Sequence, residues 1–158
     1  MIVVSDTSPL NYLILIGQAE VLERLYGRVL VPQAVWSELQ SGGAPVPVQE
    51  WVANLPGWVE ISEVPDSTLK LDPGEQEAIT LAERLKADLV LLDERRGREM
   101  VRMRGLAVIG TLGVLEAAAA QGLLDLPVAM EQLQKTSFRV SAVVIEEMLA
   151  RHVRREQE

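Results

Sequence analysis

The chain has 158 residues, 48% of them hydrophobic and 24% charged, the composition of a single compact globular domain over 1–158 and not of a disordered chain. It contains no cysteine and one histidine, His152, which excludes disulfides and thiolate chemistry and leaves little for a histidine triad or a zinc centre. The net charge of −8 argues against a general nucleic-acid coat, yet it is uneven: residues 1–83 carry 3 basic and 12 acidic side chains, residues 84–158 carry 12 and 11.

In chain order, Ile2-Val3-Val4 reads as a buried strand, Ser8-Pro9 as a cap and first helical position, and a helix runs from there to about Gly17. A second helix covers Ala19 to Tyr26. Val29-Leu30-Val31 is a strand, and Pro32 opens a helix carrying Val35, Trp36 and Leu39. Ser41 to Pro45 is a loop, followed by a short helix over 48–53 and a strand over 58–61. Asp72-Pro73-Gly74 starts a helix with Ala78, Ile79, Ala82 and Leu85 on one face. Leu89 to Leu92 is a strand buried on both sides. A basic helix from Glu94 to Arg104, a strand over 106–109 and a helix over 112–121 come next, and the remainder is helical with a break near 137–141. Short apolar runs alternating with helices predict a three-layer α/β/α sandwich around a mostly parallel sheet. The N-terminus has no basic leader and no apolar run approaches the roughly 18 residues that span a membrane, so the expectation is a cytoplasmic protein.

Four carboxylates stand out. Asp6 follows the first strand and Asp93 the Leu89–Leu92 strand, where the ligand crevice of an open parallel sheet lies. Each also reads as a turn or helix-cap residue. Glu38 borders the inward stripe of its helix, either as a rim residue or as a cleft residue. Glu75 lies on the apolar stripe that includes Ala78, Ile79 and Ala82, whereas Glu77 is about 200° further round the helix. Such acids in one cleft repel one another and raise each other's pKa, a conflict that a divalent cation resolves. All-oxygen ligands suit Mg²⁺ or Mn²⁺, which can orient water and offset charge on a phosphodiester.

Arg95-Arg96-Gly97-Arg98 begins a run with five arginines up to Arg104, read either as phosphate contacts through Arg95, Arg96 and Arg98 or as a solvated face. The Arg151 to Arg155 segment reads as a frayed end with His152 at the surface, and the three tryptophans as core or interface residues.

Val3 to Leu10, Val31 to Leu39, Gly74 to Ile79 and Leu91 to Arg96, in that order, resemble the PIN-domain family of metal-dependent nucleases, which includes VapC-like toxins. Val108-Ile109-Gly110-Thr111-Leu112-Gly113-Val114-Leu115 resembles a PIN-like branch found beside small antitoxins. The resemblance places Asp6 and Glu38 at the first two metal-binding acids and Asp93 after the fourth parallel strand. The third acid, an aspartate in most of the family, falls here on Glu75 or Glu77. It also brings Ser8 and Thr111 to the crevice as substrate-contacting hydroxyls. The implied function is an Mg²⁺- or Mn²⁺-dependent endoribonuclease leaving a 3′-hydroxyl and a 5′-phosphate, the toxin of a pair silenced by a cognate antitoxin, in a family that often dimerises. A catalytically degenerate module that holds RNA or a protein is the alternative. A phosphoaspartate enzyme fits less well: Thr7-Ser8 stands where Asp-x-Asp is needed, and Lys70, Lys86 and Lys135 do not follow a late strand.

Overall fold

The computed structural model describes residues 1–64 and 71–158; Lys70 lies outside them. The chain folds as β1 (Val3–Ser5), α1 (Thr7–Leu15), α2 (Val21–Tyr26), β2 (Val29–Pro32), α3 (Gln33–Leu39), α4 (Val46–Ala53), β3 (Val59–Ser62), α5 (Pro73–Leu85), β4 (Leu89–Leu91), α6 (Arg95–Met103), β5 (Val108–Ile109), α7 (Thr111–Ala120), α8 (Leu126–Gln134) and α9 (Ala142–Glu156). All five strands are parallel, in the order β3-β2-β1-β4-β5.

Alternation along each strand sends neighbouring side chains to opposite faces. Val3, Val29, Val31 and Leu91 join one apolar cluster with Leu10, Leu13, Leu22, Val114, Leu115, Leu126 and Leu133. Val4, Val90, Leu92 and Val108 join a second with Ala78, Ile79, Ala82 and Val101. Helices α1, α2, α7 and α8 therefore cover one face and α5 and α6 the other, the expected three-layer sandwich. Burial on both faces explains why the strands read as continuous apolar runs.

The chain enters at the sheet centre, winds outward through β2 and β3, then crosses back over to β4 and β5. The direction reverses between β1 and β4, whose registers pair Val3 with Leu89 and Ser5 with Leu91. A crevice at the carboxyl ends of these two strands is the usual consequence.

Several boundaries differ from the sequence expectation. Helix α1 begins at Thr7, which puts Asp6 rather than Ser8 at its N-cap. The tail is not frayed: α9 is ordered to Glu156, with Arg151 Nε 2.8 Å from Glu116 of α7. His152 is buried, its Nε2 3.2 Å from Glu156. Trp51 and Trp58 pack together with centroids 6.1 Å apart, as core residues would. No helix among the described residues is long and apolar enough to cross a membrane.

Candidate active site

Asp6 and Asp93 leave adjacent strands at the reversal point, Asp6 donating its backbone N–H to the Leu91 carbonyl at 2.9 Å. With Glu38 from α3 and Glu75 from the first turn of α5 they line one cleft of about 630 Å³, together with Thr7, Ser8, Tyr12, Asp72, Glu94, Arg95, Ser137, Phe138 and Arg139.

The capping explanations do not hold as drawn from the sequence. Asp6 occupies the N-cap of α1 yet makes no side-chain capping bond. The N-cap of α6 is Glu94, not Asp93. Asp93 instead turns to α7, accepting from the backbone N–H of Thr111 at 2.6 Å and from its hydroxyl at 2.7 Å. Thr111 itself is fully buried, which corrects its expected contact with substrate: both bonds go to Asp93, so it orients that carboxylate.

Glu38 is tied at both oxygens. Oε1 accepts from the Gly74 N–H at 3.1 Å and Oε2 accepts a short hydrogen bond from the Thr7 hydroxyl. Glu77 points the other way, as its angular position requires, and accepts from the Ala34 N–H at 2.9 Å. Helices α3 and α5 thus exchange carboxylates, each satisfying an N-terminal amide of the other. Of the two acids considered for the third position, Glu75 is the one that reaches the cleft. It is buried, and its Oε1 has no hydrogen-bond partner.

Glycines make room for these acids. A Cβ at Gly74 would stand 2.8 Å from Glu38 Oε1, one at Gly97 3.2 Å from Glu75 Oε1 and 2.8 Å from Leu92, and one at Gly110 2.5 Å from Asp93 Oδ1. Sequence reasoning missed Thr7 and this glycine set. The Thr7 hydroxyl adjoining Asp6 was a visible signal; the glycines show their role only once distant helices are packed.

The cleft disfavours negative charge. Burial pushes Asp6 up to about 7, opposed by the Thr7 amide and reinforced by Glu75, Glu38 and Asp93. Glu75 is raised first by burial, then by Glu94, Asp72 and Glu38, with Arg96 pulling it down. Burial raises Asp93 too, against the two Thr111 hydrogen bonds and the Arg98 charge. The mutual repulsion expected of clustered acids is therefore present at Asp6 and Glu75 but ranks below loss of solvent.

The arginine run divides. Arg95 sits at the cleft rim with an almost fully exposed side chain 3.4 Å from Glu99. Arg96 lines a shallow pocket with Glu75 and Glu94. Arg98 lies beside Asp93 in an adjoining groove. Arg104 turns away to Glu83 at 2.5 Å.

An all-parallel sheet with an acidic crevice at its reversal point defines a doubly wound α/β protein. Within that class the chain belongs to the PIN-domain family, whose model matches residues 2–154. PIN domains are generally nucleases and typically use divalent metal ions, so membership points to a nuclease-type function. No curated protein matches it.

The donor chemistry fits a hard divalent cation: the carboxylates of Asp6, Glu38, Glu75 and Asp93, with Asp72 and Glu94 beside them, no sulfur, a buried oxygen of Glu75 without a partner, and remaining lone pairs on Glu38 and Asp93. The arrangement is nonetheless open. Among the described residues, no group of three or more His, Cys, Asp or Glu side chains is arranged to hold a metal ion.

Proposed function

We propose that the protein is an Mg²⁺- or Mn²⁺-dependent endoribonuclease and the toxin of a toxin–antitoxin pair, working in the cytoplasm. The observation that carries the reading is the convergence of Asp6, Glu38, Glu75 and Asp93 on one cleft, three of them with raised pKa values. These four residues would hold the ion, which when bound activates water and offsets charge on the phosphodiester. The chain's own contribution is positional. Thr111 fixes Asp93, Thr7 and Gly74 fix Glu38, and Ser8 stands at the cleft wall within reach of a phosphate oxygen. Arg95 and Arg96 at the rim, and Arg98 behind Asp93, supply positive charge where an RNA backbone must approach four acids. A protein antitoxin would silence the enzyme by placing a basic side chain among the acids.

Asp6→Asn removes one ligand oxygen's charge while keeping its shape. It is expected to abolish Mg²⁺-dependent cleavage of RNA with the circular dichroism of the wild type retained. Full activity in this variant would overturn the assignment. The open spacing of the acids favours a second reading, a PIN-like module that binds RNA or a partner without hydrolysis. Calorimetry with Mn²⁺ separates the two, since the degenerate module would bind no ion.

A further inference from the structure

The acid cleft continues past its own rim. Asp93, Phe138 and Arg139 line it and also line a second groove of about 440 Å³ running between α7 and α9. Phe138 and Arg139 belong to the turn joining α8 to α9, which the sequence marks only as a helix break. This turn is pinned to α1, the helix that Asp6 begins. The Phe138 ring meets Tyr12 edge-to-face at 4.9 Å, and the Ser137 and Tyr12 hydroxyls lie 3.1 Å apart. Arg139 is therefore presented from a fixed base.

The arginines of the groove differ in their commitments. Arg151 is bound to Glu116 through two hydrogen bonds, at 2.8 and 3.3 Å. Arg98 lies against the Gly110 backbone beside Asp93. Arg139 is exposed and has no hydrogen bond or ion pair among the described residues. A polyanion cut in a cleft lined by carboxylates needs counter-charge for its neighbouring phosphates, and Arg139 at the edge that the two hollows share is placed to supply it. Tyr12 and Phe138 are half-buried and both line the acid cleft, so the exposed part of the ring pair faces the space in which an unpaired base could rest.

We propose that the Ser137–Arg139 turn holds single-stranded RNA beside the scissile bond. Arg139 grips a phosphate outside the acid cleft, and the Tyr12–Phe138 pair supports the adjoining nucleotide as the strand passes into the second groove. This rests on the ribonuclease reading above.

Binding of a fluorescein-labelled oligoribonucleotide to the full chain, followed by anisotropy in an Asp6→Asn background, tests it with hydrolysis blocked. Adding Arg139→Ala is expected to weaken binding about fivefold to tenfold, to a similar degree for different sequences. The slope of log affinity against log salt should become shallower by about 0.7, and Arg139→Lys should restore most of the loss. With Asp6 intact, Arg139→Ala should raise KM by the same factor and leave kcat within about twofold. An active wild type whose affinity and KM ignore Arg139→Ala overturns this inference alone, and assigns the turn to solvent or to a protein partner. A fall in kcat at constant KM overturns it as well. A wild type that neither binds nor cleaves RNA removes the ribonuclease reading and this inference with it.

Discussion

Asp6 carries a proton-linked signature that can be measured without substrate. An unfolded aspartate ionises near 3.9, whereas folding holds the Asp6 proton up to about 7. Between those values the folded state binds more protons, so stability is greatest below the lower value and falls as pH rises through the upper one. The limiting size is on the order of 4 kcal/mol, and the raised values of Glu75 and Asp93 act in the same direction. Thermal unfolding of the metal-free protein across this range should show the decline, and Asp6→Asn should flatten it; an equal decline in the variant would mean the burial cost lies elsewhere. At this scale Asp6 and Asp93 were legible in the sequence because each ends an apolar run at a strand terminus. Gly110 was not, since its importance lies in a carboxylate contributed from elsewhere in the chain.

The exchange between α3 and α5 is a property of elements. Neither helix makes a capping bond from its own N-cap residue, and each receives a carboxylate from the other instead. Glu77→Ala strands the half-buried Ala34 N–H and is expected to cost about 1 kcal/mol, read as a lower urea midpoint at unchanged slope. No change would show that water satisfies that amide equally well. Helical periodicity located α5 and placed Glu75 inward, because an angular argument needs only the helix itself. It could not reveal α9's docking. Arg151 and Glu116 are 35 positions apart, and without that partner a basic terminal segment looks solvated.

Over the whole molecule, the acidic first half and nearly neutral second half map onto a cleft and its rim. Four of the six acids that line the cleft belong to the first half, and Arg95, Arg98 and Arg139 come from the second. Any ion that binds the folded cleft and not the unfolded chain stabilises by mass action. A fixed Mn²⁺ concentration about 100 times the Kd at pH 8 should add about 2.7 kcal/mol there, and should raise Tm less at pH 5, because protons compete below the Asp6 pKa of about 7. A rise that is the same at both pH values, or one that survives in Asp6→Asn, would place the ion outside this cleft. Net charge alone pointed away from nucleic acid; only the positions of the charges are compatible with it.

The order in which the cleft residues occur has a consequence for synthesis. Asp6 leaves the ribosome before the other three acids, but its strand lies at the centre of the sheet, next to β4. The fourth acid, Asp93, is held only when Thr111 has followed it, and Arg139 arrives later still. At roughly 5–20 residues per second, the growing chain spends several seconds with its first carboxylates exposed and no crevice to gather them. A partly made chain therefore lacks the assembled crevice until β4 and α7 have docked.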